Sequence, residues 1–176
     1  MAGDAIIVRP IGPIDSLAAM TELLHSAYAR LGAMGFNYTA VDQTEEITRE
    51  RVAGGTCLVA VDDGVLVGTI MFYGPGRSNG CPWYERTEVA VIGQFGVRPD
   101  HQGRGLGTRL LREVEALGIL NGAAELALDT SEGARHLIAW YERRGFRFIQ
   151  YAQWRGKTYR SVIMSKTLRD SPSVTQ

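Results

Sequence analysis

The chain is poor in the features that mark several protein classes. It carries two cysteines, Cys57 and Cys81, among 176 residues, with no paired spacing and none of the Cys/His companions of a zinc site. Both are expected to be reduced thiols, and no metal is expected. Net charge is lacking too, since 19 basic residues balance 19 acidic ones. No global field then holds a nucleic acid or an anionic bilayer, so any bound anion must be held locally. No apolar run reaches the roughly 18 residues of a membrane span. The opening Met-Ala-Gly-Asp has neither the basic nor the apolar region of a secretion signal. The expectation is a cytoplasmic protein without a nucleic-acid or membrane partner, a monomer or a homodimer. The length suits one domain, here residues 1–168 followed by a polar tail, 169–176.

What is present is patterned. Ile6 to Pro10 reads as a strand, and Leu17, Met20, Leu24, Ala27, Tyr28 and Leu31 recur at helical spacing until Gly32 and Gly35. Asp42 or Thr44 would cap a second, acidic helix running through Glu50. Thr56 to Val61 and Val65 to Tyr73 flank Asp62-Asp63-Gly64, the signature of a β-hairpin. Gly74 to Thr87, rich in Gly and Pro, predicts a long loop that carries Trp83 and Tyr84. A strand follows from Glu88 to Val97, then a helix with Leu106, Leu110, Leu111, Val114 and Leu117 on one face. Glu125 to Asp129 predicts another strand, and Ala134, Leu137, Ile138 and Tyr141 a last helix stopped at Gly145. Phe146 to Trp154 and Thr158 to Leu168 close the chain as a hairpin. This order predicts an α/β (α+β) domain whose helices cover a largely antiparallel sheet.

The segment from Gln94 to Gly107 carries the chemistry. A strand ends at Val97, Pro99 interrupts its ladder, and Gly103, Gly105 and Gly107 let the backbone bend and approach a ligand before a helix begins. Bare amides at a helix N-terminus attract an anion, and Arg104 adds charge beside them. A phosphate or pyrophosphate is the natural guest. A Walker A loop would need a lysine where Gly107-Thr108-Arg109 has none, and a dinucleotide fingerprint would need glycine where Thr108 stands. A third pattern, Gln/Arg-x-x-Gly-x-Gly/Ala, is met by Gln102, Gly105 and Gly107.

At these residues the sequence resembles the GCN5-related N-acetyltransferase (GNAT) superfamily. Ala139-Trp140-Tyr141-Glu142-Arg143-Arg144-Gly145-Phe146 is similar to the family's helix ending in Tyr-x-x-x-Gly-Phe, and the resemblance spans essentially the whole chain. It implies a mixed sheet of about seven strands flanked by about four helices and splayed between the fourth and fifth strands. It also implies an acetyl-CoA-dependent transfer of an acetyl group to a primary amine, by direct attack in a ternary complex and without a metal. Phe95, Gly96 and Val97 would meet the pantetheine arm, and Gln102, Gly103, Arg104, Gly105, Leu106, Gly107 and Thr108 the pyrophosphate. Tyr141 is the implied acid for the departing thiolate.

Many relatives place a glutamate base on the strand before the loop, but the best-matched position here holds Val91. Glu88, acting through water, is the candidate base; Gln94 lies nearer the loop, and His101 sits within it. The acceptor is expected among Tyr28, Phe36, Tyr38, Trp83, Tyr84, Tyr151 and Trp154, with Glu85 or Glu88 neutralising a cationic amine. A CoA-binding sensor without turnover and a nucleotide-binding regulatory domain are the alternatives.

Overall fold

Alternation of apolar residues builds a seven-stranded sheet in the computed structural model, which describes residues 6–168. The polar tail expected at 169–176 lies outside the described residues. The strands are β1 (Ile7–Pro10), β2 (Thr56–Asp62), β3 (Val65–Tyr73), β4 (Val89–Val97), β5 (Glu125–Ser131), β6 (Arg147–Ala152) and β7 (Ser161–Thr167). They lie in the order β1-β2-β3-β4-β5-β7-β6. All neighbours are antiparallel except β4 and β5.

Among the described residues five α-helices accompany the sheet: α1 (Leu17–Ala33), α2 (Thr39–Asp42), α3 (Glu45–Ala53), α4 (Leu106–Leu120) and α5 (Arg135–Glu142). The one-turn α2 was not legible, because Asp42 ends it and the Thr44 side chain caps α3 through the Ile47 amide. The closing hairpin is shorter than expected. β6 stops at Ala152, and the segment around Trp154 turns away to bond Asp129.

The period of two along each strand divides the core between two faces. In β2, Leu58 and Ala60 join Leu106, Leu110, Leu111 and Val114 beneath α4. Cys57 and Val59 face the opposite way, toward Met20, Leu23 and Leu24 of α1. Gly96 allows α1 to press onto β4, since an added Cβ there would stand 2.9 Å from Ala27 Cβ. That close approach sets one wall of the site.

Candidate active site

The site begins where the parallel pair comes apart. β4 and β5 pair only over Val89–Glu125, Ala90–Leu126 and Val91–Ala127. Beyond Val91 the β4 edge has no strand partner on that side among the described residues, and residues of this edge line a cavity of about 1020 Å³. A bulge sharpens the divergence. Gly93 pairs with Met71 and Gly96 with Thr69, so β4 carries one residue more than β3 across this step. Gln94 absorbs the excess in left-handed backbone, φ 46°, the kind of local twist that re-aims side chains beside active sites. The carbonyl of Phe95 accepts the Tyr28 hydroxyl at 2.9 Å.

The glycine loop bends as its residues require. Gly103 and Gly105 have φ of 73° and 81°, and an added Cβ at either would meet no protein atom within 4 Å. The space beside them is therefore open to a ligand, as a diphosphate cradle needs. Gln102 holds the loop by donating its side-chain amide to the Val97 carbonyl at 2.9 Å. Phe95, Gly96, Val97, Gln102, Gly103, Gly105, Gly107 and Thr108 all line the cavity. Two expected residues do not. Leu106 turns its side chain into the core beneath α4, and Arg104 is exposed away from the lining. Arg144 instead supplies a cation at this end, bonded to Thr108 and stacked on Trp140.

Tyr141 lines the same cavity between Trp140 and Phe146, with ring centroids 5.1 and 5.5 Å away. Its hydroxyl has no hydrogen-bond partner among the described residues, unlike those of Tyr28, Tyr38 and Tyr84. Burial pushes its pKa far above the ordinary phenol value, and the nearby Tyr28, Tyr38 and Asp129 push in the same direction. The raised pKa favours the neutral phenol.

Glu88 is not brought into this arrangement. It precedes β4, where the two strands are still closed, and its carbonyl accepts the Ala124 and Glu125 amides. Its carboxylate accepts from Arg86 Nε at 2.7 Å, and that guanidinium holds its carboxyl below the usual range. A base placed there is remote from the opening of the splay. His101 is also engaged elsewhere, between Asp62 and Asp100.

A different carboxylate, Asp129 near the end of β5, lines the cavity. It accepts from Trp154 Nε1 at 2.9 Å, Ser161 Oγ at 3.1 Å and Tyr84 Oη at 3.2 Å. Its signal in the sequence was faint: one of two acids in a short strand that opens on Glu125. Tyr28, Tyr38, Tyr84 and Trp154 form aromatic walls as expected. Trp83 lies against Arg86, Tyr151 is exposed and Phe36 packs behind Tyr38. Glu85 caps the Gly80 amide and takes no part. The unforeseen feature is basic. Arg51, Arg77 and Lys157 also line the cavity.

Residues 17–146 match the acetyltransferase (GNAT) family. The chain is 29% identical over 153 residues to an S-(2-succino)cysteine N-acetyltransferase of Bacillus subtilis (strain 168), covering 85% of this chain and 89% of that protein. It is 24% identical over 139 residues to an S-alkylcysteine N-acetyltransferase of the same organism, covering 77% and 76%. Solved structures share its fold. A GNAT family acetyltransferase from Elizabethkingia anophelis with acetyl-CoA bound superposes with a TM-score of 0.66 at 17% identity, covering 94% of this chain and 99% of that one. The ribosomal-protein-S18-alanine N-acetyltransferase from Escherichia coli gives 0.70 at 16% identity, covering 98% and 99%. With the split β4–β5 pair and the glycine loop at its mouth, these matches make the chain a member of the acetyltransferase (GNAT) family, an acetyl-CoA-dependent N-acetyltransferase.

Proposed function

We propose that the acetyl group goes to the amine of a small amino acid of the S-substituted cysteine class. The curated relatives act on such acceptors, and the basic residues Arg51, Arg77 and Lys157 at the acceptor end favour a substrate that carries a carboxylate. Bound at the glycine loop, acetyl-CoA supplies a thioester carbonyl and a thiolate leaving group. The chain's own residues meet the remaining demands. The unpaired β4 edge past Val91 offers backbone donors to the carbonyl. Asp129 faces the entering amine and takes its proton, directly or through water. Tyr141 returns a proton to the departing sulfur, a thiol whose ordinary pKa lies near ~8.5.

One observation carries this reading: an unpartnered phenol and a carboxylate line one cavity with the phosphate loop at its mouth. The test is CoA release measured with S-methylcysteine, S-(2-succino)cysteine, a polyamine and a peptide. The two cysteine derivatives should be the best substrates. A preference for the polyamine or the peptide would overturn the assignment, and acetyl-CoA binding without release by any amine would point to a sensor.

A further inference from the structure

One wall of the cavity carries hydrogen-bond donors that the described residues satisfy only in part. Arg51, in the last turn of α3, brings its guanidinium over Gly93, where an added Cβ would stand 3.8 Å from Nη2. Among the described residues no carboxylate pairs with it. Its one side-chain hydrogen bond runs from Nη1 to Gln43 Oε1 at 3.0 Å. A half-buried arginine without a counter-ion is a group awaiting a partner.

That same bond fixes the orientation of two amides. An arginine can only donate, so Gln43 presents its oxygen to Arg51 and its nitrogen elsewhere. Gln43 Nε2 donates to Thr48 Oγ1 at 2.7 Å and to Gln94 Oε1 at 3.1 Å. Gln94 therefore has its oxygen occupied and its Nε2 left over, a buried donor without a partner. The residue is only 3% exposed, and it is held there by the left-handed bulge of β4. Leaving such a donor unpaired is costly, and a ligand that accepts its proton removes the cost.

Arg51 and Gln94 both line the cavity, one from α3 and the other from the bulge of β4. A cation with parallel N–H groups beside a neutral amide donor matches the two oxygens of a carboxylate. Lys157 strengthens the positive potential; burial and the Arg51 charge both lower its pKa. Opposed to them in the lining stand two acids, exposed Glu50 and Asp129, and Asp129 is placed to face an ammonium. We propose that Arg51 and Gln94 form a binding site for a carboxylate of the acceptor, so that this enzyme selects amino acids over simple amines. The inference rests on the reading of this cavity as the acceptor site.

The test compares S-methylcysteine with 2-(methylthio)ethylamine, the same amine without its carboxylate. Wild-type enzyme should prefer the amino acid in kcat/KM. Arg51→Met should cut that preference roughly 10- to 100-fold, the usual worth of a hydrogen bond to a charged group, mainly through KM. Arg51→Lys should restore part of it, and Gln94→Asn, which tolerates left-handed backbone, should show a smaller loss. Calorimetry of N-acetyl-S-methylcysteine with the CoA-saturated protein gives a second measure that needs no turnover. It should bind wild type and bind Arg51→Met roughly 10- to 100-fold more weakly. Equal use of the two amines by wild type, or an unaltered preference in Arg51→Met, overturns the carboxylate site and leaves acetyl transfer standing. If no amine is acetylated, the reading of the reaction fails. The calorimetric arm then still decides the site, since equal product affinity in wild type and Arg51→Met, or none in wild type, overturns it.

Discussion

Arg144 donates twice to the Thr108 hydroxyl, from Nε at 3.2 Å and Nη2 at 2.9 Å, and so joins the end of α5 to the first turn of α4. Its guanidinium also lies 3.4 Å above the Trp140 ring centroid, a stacking geometry that holds the cation flat against the cavity wall. A fixed positive charge beside two left-handed glycines is well placed for a diphosphate. Arg144→Met should weaken acetyl-CoA binding about 10-fold and flatten its dependence on salt. Titration at low and high ionic strength reads both effects; unchanged affinity would make the stack purely structural.

The loop itself gives a sharper expectation. Gly105 has φ 81° and nothing of the protein within 4 Å of an added Cβ, so a side chain there would fill ligand space rather than the core. Gly105→Val should abolish acetyl-CoA binding. Strain from left-handed backbone adds a stability cost of roughly 1–2 kcal/mol, small enough for the variant to fold. Calorimetry beside a melting curve separates the two effects, and wild-type affinity would mean the phosphates sit elsewhere.

Local patterns in the sequence were enough for the sheet, the hairpins and the bend of the glycine loop into α4, because strand alternation, Asp-Gly turns and a glycine-rich helix start act within a few residues. The acceptor chemistry was not legible in the same way. Asp129 becomes a cavity carboxylate only because β4 and β5 separate past Val91, and Arg51 reaches Gly93 only because α3 folds over the sheet. The bulge at Gln94 was hidden for a related reason. Left-handed backbone is announced by Gly, Asn or Asp, and a glutamine in the middle of an apolar strand gives no such sign. Glu88 was the carboxylate upstream of Val91, the position matched to the family's glutamate, and its pairing with Arg86 is a local contact that a charge pattern does not rank.

The contrast between two carboxylates is testable. Asp129→Asn keeps acceptor groups for Trp154 and Ser161 while removing the negative charge. It should lower kcat/KM roughly 100-fold, within the ordinary range for a positioned base. Glu88→Gln should leave the rate and its pH profile unchanged, since Glu88 does not line the cavity. A large loss in Glu88→Gln would reverse the two assignments.

The start of α1 carries a pH-dependent anchor. Asp15 accepts from both terminal nitrogens of Arg9, at 2.7 and 2.9 Å, and from the Gly12 amide at 2.7 Å. Its side chain is 5% exposed. The Arg9 hydrogen bonds above all hold its carboxyl below the usual range. With the folded pKa depressed, the contribution is fully present above the unfolded value near ~3.9 and is lost as pH falls through the folded one. Urea unfolding should therefore show wild type losing its advantage over Asp15→Asn below about pH 4. A constant gap through the acid range would contradict the anchor.

Tyr141 offers the most direct test of chemistry. Its ring is packed between Trp140 and Phe146, so position alone is compatible with a core residue. A buried tyrosine that serves packing normally parks its hydroxyl on an acceptor, as Tyr28 does on Phe95. Tyr141 does not, and its hydroxyl is left for whatever enters the cavity. Tyr141→Phe keeps the ring contacts and removes only that oxygen. If the hydroxyl protonates the departing thiolate, kcat should fall roughly 10- to 1000-fold, with acetyl-CoA affinity and melting temperature little changed, as befits an interaction made in the transition state. The loss should shrink for thioesters whose thiols have lower pKa, because a better leaving group needs less help from an acid. Full turnover with acetyl-CoA would return Tyr141 to packing, and an equal loss for every leaving group would assign it to positioning instead.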